Sequence, residues 1–156
     1  MTKYFIDTTI LQAAFNTSDT QHDIAHKLLD KIIQQQVEPA LYVSDYVLDE
    51  TISLIISRTR SKGLPYARSI INTIFENLNN SRLYKILHVD ETTFASALTY
   101  VKQRRFPLAT IADYTTAVFM RQYKIKYVLS LDHHFDEISR IREFRFIKRI
   151  YDPRQV

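Results

Sequence analysis

Four acidic residues stand in this sequence where their neighbours are apolar. Asp7 closes the run Tyr4-Phe5-Ile6, and Asp132 closes a second run in YVLSLDHHF. Glu50 lies in YVLDETISLI beside Leu48, Ile52 and Ile55, and Asp113 lies in PLATIADYTTAVFM, near the start of a helical segment. Taken singly, each has an ordinary use. Asp7 can cap a short helix through Leu11, Glu50 and Asp113 can sit near a helix dipole, and Asp132 can start a turn. Taken together, they would put four carboxylates at one end of a fold, which caps do not require. Converging carboxylates raise one another's pKa unless a cation neutralises them. Mg²⁺ or Mn²⁺ suits an all-oxygen set. Such an ion activates water and shields the charge that develops on a phosphodiester during in-line displacement.

The elements that would bring the acids together follow from the periodicity. Short apolar strands are expected at 4–6, 41–43, 84–89 and 127–131, with a fifth at 146–150. Between them, Ile24, Leu28, Leu29, Ile32 and Ile33 recur at helical spacing within 20–36. Val47, Leu48, Ile52, Ile55 and Ile56 stripe a helix that Ser44 and Asp45 can cap and that runs to about Arg60. Pro65 begins a helix over 64–79 that carries Ile70, Ile71, Ile74, Phe75 and Leu78. Phe94, Leu98 and Val101 mark another helix, which Pro107 ends, and a last one covers 110–123. Strands alternating with helices predict an α/β sandwich, with a mainly parallel sheet of four to five strands and helices on both faces. In such sheets the ligand crevice lies beyond the carboxyl ends of the strands, where Asp7 and Asp132 would point.

Composition removes several classes. A chain of 156 residues predicts one domain, 1–156. With a single glycine, Gly63, neither dinucleotide nor P-loop phosphate cradles can be written. The absence of cysteine removes disulfides, thiolate metal sites and cysteine nucleophiles, and a reducing cytoplasm is the expected compartment. No apolar stretch approaches the ~20 residues that span a bilayer, and the N-terminus does not resemble a signal peptide. The formal charge of +4 is compatible with a polyanionic partner and equally with a solvated basic surface. Thr9 stands where a dehalogenase-like phosphatase needs its second Asp, and the order of the acids does not suit a response-regulator receiver.

YFIDTTIL, VLDETISLI, ATIADYTTAVFM and YVLSLDHHF, in this order and spacing, resemble a PIN-domain protein, above all the VapC-like ribonuclease toxins of toxin–antitoxin pairs. The resemblance runs from Tyr4 to about Ile150. It implies a PIN-like α/β/α fold and Mg²⁺- or Mn²⁺-dependent cleavage of single-stranded or loop RNA. Asp7, Glu50, Asp113 and Asp132 then match the family's catalytic, metal-binding quartet. Ser130 matches a small hydroxyl residue that orients the last acid. Many relatives carry a further acid where this chain has His134, with Asp136 close by as a substitute. A small antitoxin protein and a homodimer are the implied partners. A non-catalytic RNA- or protein-binding module on the same fold, or a stand-alone RNA-processing nuclease, is the alternative.

Other residues read more simply. His133 and His134 are taken as exposed loop polarity, and His22 and His26 as surface residues. Arg58/Arg60/Lys62 and Lys102/Arg104/Arg105 suit either phosphate contacts or a solvated rim. Most of the ten tyrosines fit strand or core positions better than base stacking. The Ile and Leu content of 20–36 and 64–79 exceeds what one small sheet needs, in keeping with a dimer.

Overall fold

The computed structural model describes residues 1–80, 82–103 and 108–156. Arg104, Arg105 and Pro107, the last expected from the sequence to end a helix, lie outside the described residues. Strand β1 (Lys3–Ile6) is the centre of the sheet, and the reason is compositional. Successive strand residues point to opposite faces, and Tyr4, Phe5 and Ile6 are all buried, so both faces must be covered. Strands β2 (Ala40–Ser44), β3 (Tyr84–Leu87), β4 (Tyr127–Leu129) and β5 (Lys148–Ile150) complete a five-stranded sheet in the order β3-β2-β1-β4-β5. Every pairing is parallel, with Tyr4 opposite Leu41 on one side and Tyr127 on the other.

Helices α1 (Thr8–Phe15) and α2 (His22–Ile33) link β1 to β2, and α3 (Asp45–Arg58) and α4 (Leu64–Leu78) link β2 to β3. Helices α5 (Glu91–Gln103) and α6 (Ile111–Gln122) precede β4, and α7 (His134–Ile138) precedes β5. The first four helices pack on one another, and α5, α6 and α7 form a second group. The predicted PIN-like α/β/α architecture is thus present, with an all-parallel sheet.

Two helices differ in detail from the expected pattern. In α5 the buried positions are Thr93 and Ala97, while Phe94 is exposed. Small side chains let α5 approach α6 closely, and Tyr100 flanks the seam by stacking on Tyr114 with ring centroids 5.9 Å apart. In α3 the buried line is Val47, Thr51 and Ile55, whereas Ile56 is exposed. Thr51 is tolerated inside because its hydroxyl donates to the Val47 carbonyl at 2.7 Å. Ser44 caps α3 as expected, its Oγ accepting from Val47 N at 3.3 Å. Helix α7 was not expected from the sequence, and it buries Phe135 and Ile138.

Gly63 joins the last turn of the α3 region to α4 at φ 84° and ψ 163°, a conformation open essentially to glycine alone. Among the described residues no helix is long and apolar enough to cross a membrane.

Candidate active site

Asp7 sits at the carboxyl end of β1, where its backbone N–H donates to Leu129 O at 3.0 Å and ties it to β4. Its Oδ2 caps α1, accepting from Thr9 N at 3.4 Å and Thr9 Oγ1 at 2.8 Å. The same oxygen accepts from buried Ser130 Oγ at 2.8 Å. The cap and the crevice readings of Asp7 therefore describe one arrangement. Burial, reinforced by the Asp113 and Asp132 charges, raises its pKa to about 7 against the lowering effect of the Thr9 and Ser130 hydroxyls.

Asp113 is buried in the first turn of α6, within a capping box. Its Oδ2 accepts from Thr110 N at 2.7 Å, while Thr110 Oγ1 accepts from Asp113 N at 3.3 Å. Glu50 projects from α3, and its Oε2 accepts from Thr8 Oγ1 at 2.9 Å. Partial burial raises the Glu50 pKa; the Thr8 hydrogen bond opposes this, and the Asp113 and Asp132 charges add to it. Asp132 follows β4, with Oδ1 accepting from His134 N at 2.9 Å and its own N–H donating to Ser130 Oγ at 3.3 Å. Asp7, Glu50, Asp113 and Asp132 thus lie within electrostatic reach of one another at the carboxyl end of the sheet.

A shared pattern follows. In Asp7, Asp113 and Glu50 one carboxylate oxygen takes every hydrogen bond and the other takes none among the described residues. A carboxylate fixed through one oxygen presents the other in a defined direction, as a ligand to a hard cation must. The four oxygen donors fit Mg²⁺ or Mn²⁺ in chemistry. Among the described residues, however, no three of these groups close into a preformed cluster of metal ligands.

A cationic side chain already stands among the acids. His134 Nδ1 lies 3.1 Å from Asp113 Oδ2 and 3.6 Å from Asp132 Oδ2. The hydrogen bond to Asp113, helped by the Asp113, Asp132 and Asp7 charges, raises its pKa to about 9 in spite of burial. The reading of His134 as exposed loop polarity is therefore wrong, although it holds for its neighbour His133, whose side chain is 83% exposed. The two diverge because His133 is the cap residue of α7 and His134 its first residue.

Asp136 is not drawn into the cluster. One turn into α7, its Oδ2 accepts from Arg149 Nε at 2.9 Å and Nη2 at 2.7 Å. It reaches the site only through Arg149, whose Nη1 donates to Ser130 O at 3.3 Å. Where the sequence offered Asp136 as a substitute for a missing acid, the structure pairs it with a buried guanidinium one helical turn into α7. The sequence reading also missed Thr8, Thr9 and Thr110, the hydroxyl donors to the acids. The T-x-x-D spacing of Thr110 and Asp113 was a readable capping-box signal. Arg58, which suited either a phosphate contact or a solvated rim, pairs with Asp19 at 2.9 Å.

The PIN-domain family model matches residues 4–141, most of the chain. The chain belongs to the PIN-domain family. No curated protein matches it. Among solved structures it is similar to VapC20 of Mycobacterium tuberculosis, described as a sarcin-ricin loop cleaving toxin, at 21% identity and a TM-score of 0.68. That match covers 86% of this chain and 94% of VapC20. VapBC2 from Rickettsia felis, bound to a DNA fragment from its promoter, matches at 15% identity and a TM-score of 0.62, covering 94% and 98% of the two chains. FitAcB from Neisseria gonorrhoeae matches at 17% identity and a TM-score of 0.55, covering 98% and 99%. At these identities the likeness is one of fold, so the PIN assignment rests on the family match and the chemistry must be argued from the site.

Beside the PIN acids a hollow of about 380 Å³ opens between α3 and α6, lined by Tyr46, Asp49, Glu50, Ser53, Thr110 and Ile111. Glu50 and Asp49 stand on its wall, with Tyr46 as its one aromatic side chain.

Proposed function

We propose that this PIN protein is a Mg²⁺- or Mn²⁺-dependent endoribonuclease that cleaves single-stranded or loop RNA, acting in the cytoplasm as the toxin of a toxin–antitoxin pair. The observation that carries the reading is the set of carboxylates at the sheet's carboxyl end, three of them with one oxygen held and one free. Asp7, Glu50, Asp113 and Asp132 would hold the divalent ion, which when bound activates water and offsets charge on the phosphodiester. The protein's own part is orientation. Ser130 and Thr9 fix Asp7, Thr110 fixes Asp113, and Thr8 fixes Glu50. RNA entering through the hollow at Tyr46 would pass Glu50 first.

The partners follow by likeness. VapC20's description as a loop-cleaving toxin supports a loop substrate, and the VapBC assemblies among the structural neighbours support a small antitoxin. A homodimer accounts for the apolar strip of Leu64, Ile71 and Phe75 on α4, with Ile56 beside it. Light scattering that reports a monomer near 18.4 kDa at micromolar concentration would refute the dimer.

The central test is RNA cleavage with and without divalent ion by the wild type, Asp7→Asn and Asp113→Asn. Each variant removes a charge at nearly constant volume, so activity should vanish while the fold persists. Cleavage at the wild-type rate by either variant would remove that residue from the mechanism. A wild type that binds RNA and cleaves none at millimolar Mn²⁺ would favour the binding-module alternative.

A further inference from the structure

The amino ends of β4 and β5, opposite the acids, carry a hollow of about 480 Å³ with a different chemistry. Arg121, Lys124, Lys126, Arg145 and Lys148 line it, with half-buried Phe146 among them. Glu143 is the one acid in the lining, yet none of the five cations forms an ion pair within 4.0 Å among the described residues. Elsewhere Arg58, Arg149 and Arg154 all find carboxylates. Arg121 lies over the Phe144 ring and Lys126 over Tyr127, but five like charges with no carboxylate partner around one hollow still repel one another, and an anion there would relieve that repulsion.

The backbone adds an independent sign. Lys124 has φ 54°, the only non-glycine with positive φ among the described residues. It ends α6 in the left-handed position where glycine or asparagine is favoured, with Ile125 N donating to Met120 O at 2.8 Å in the closing turn. A lysine held there costs more than the glycine usual at this position, and its side chain lines the hollow.

We propose that this hollow is a second RNA-binding site, taking the phosphates of nucleotides that flank the cleaved bond while Phe146 offers a face to a base. The proposal rests on the ribonuclease reading and names where the body of that substrate lies. Clustered cations with an aromatic ring are the usual platform for single-stranded nucleic acid. Only five residues separate Lys126 from Asp132, at most about 22 Å of extended chain, so one RNA strand can reach both ends of the sheet.

The test uses the full chain carrying Asp7→Asn, so that RNA is bound and not cut, with a fluorescent 30-nucleotide stem-loop RNA as probe. Adding K126E and K148E should weaken binding by roughly tenfold or more at moderate salt and lower the slope of log K against log salt by about 2. Lys124→Gly gives a separate check that protects against misfolding. It should keep or raise Tm while weakening binding by a few-fold. Unchanged affinity and salt slope in the folded charge variants would overturn the proposal, whatever the nuclease assays show. So would a poly-glutamate peptide that binds as tightly as the RNA, since that would mark a surface for an acidic protein. Loss of RNA binding in these variants, with a wild type that cleaves nothing, would uphold the site and refute the nuclease.

Discussion

His134 Nδ1 stands 3.1 Å from Asp113 Oδ2, so a protonatable ring occupies one of the carboxylates that a divalent ion would use. The ring and the ion carry the same sign and call on the same charge. His134→Gln should therefore lower the stability of the metal-free protein near pH 6 by about 1–2 kcal/mol, the worth of a charged hydrogen bond in a partly buried site. His134→Asp, which adds a further acid to the cluster, should lower it further. It should also enlarge the rise in Tm produced by Mn²⁺. Thermal melts of the three proteins with and without Mn²⁺ decide the matter, and equal Mn²⁺ shifts in all three would count against it.

Asp7 and His134 together set a pH dependence. Asp7 is raised from 3.8 to about 7 and His134 from 6.5 to about 9, so the folded chain binds protons more tightly than the unfolded one at both. Stability from these groups is therefore full at low pH and is lost as pH rises, first through 7 and then through 9. The carboxylates whose pKa is lowered, Asp19, Asp90, Asp136 and Asp152, act below this window. Metal-free Tm should fall by several degrees between pH 5 and pH 9, on the order of 2–4 kcal/mol. Asp7→Asn should flatten the part of the fall below pH 7. A wild-type Tm that is level across the window would contradict the assignment.

Much of this was legible in the sequence, and for physical reasons. Tyr4-Phe5-Ile6 and Tyr127-Val128-Leu129 are continuous apolar runs, which suit strands buried on both faces and so fix a parallel sheet. An acid directly after each run must then stand at the crevice. What could not be read was direction. His133 and His134 are adjacent and alike, and only the start of α7 after Asp132 sends one outward and the other onto Asp113. The face of α5 was misjudged by about one residue because the seam is built from Thr93 and Ala97, not from its largest side chains.

Ser130 should matter more than its size suggests. It is fully buried, donates to Asp7 Oδ2 at 2.8 Å and accepts from Asp132 N at 3.3 Å. Ser130→Ala would release two of the acids at once, and should reduce cleavage by roughly 10–100-fold with a loss of about 1–2 kcal/mol in stability. Ser130→Thr retains the hydroxyl and should recover part of the activity. Full activity in the alanine variant would show that the hydroxyl positions nothing.

Gly63 offers the opposite profile. Its φ of 84° with ψ 163° is strained for any side chain, although a Cβ there would meet only Pro65 Cδ at an ordinary 3.6 Å. Gly63→Ala should therefore cost about 1–3 kcal/mol, or roughly 3–10 °C in Tm, through backbone strain alone. Cleavage per folded molecule should be unchanged. A chemical denaturation curve with an unaltered midpoint would refute the strain.

The last prediction separates the two acids of the final loop. Asp132 lies beside His134 and within reach of Asp7 and Glu50, whereas Asp136 is held by Arg149 through two hydrogen bonds. Asp132→Asn should lower divalent-dependent cleavage by on the order of a hundredfold, because it removes a charge from the cluster. Asp136→Asn should cut activity by no more than a few-fold. Its cost should fall on stability, since Arg149 has a side chain only 6% exposed and would lose its carboxylate. Arg149 also holds Ser130 O at 3.3 Å, so a small secondary effect on Asp7 is expected and should be mimicked by Arg149→Lys. Measuring initial rates and melting temperature on the same preparations distinguishes the roles. If Asp136→Asn proved as inactive as Asp7→Asn, with its melting temperature intact, the fourth acid of the site would be Asp136.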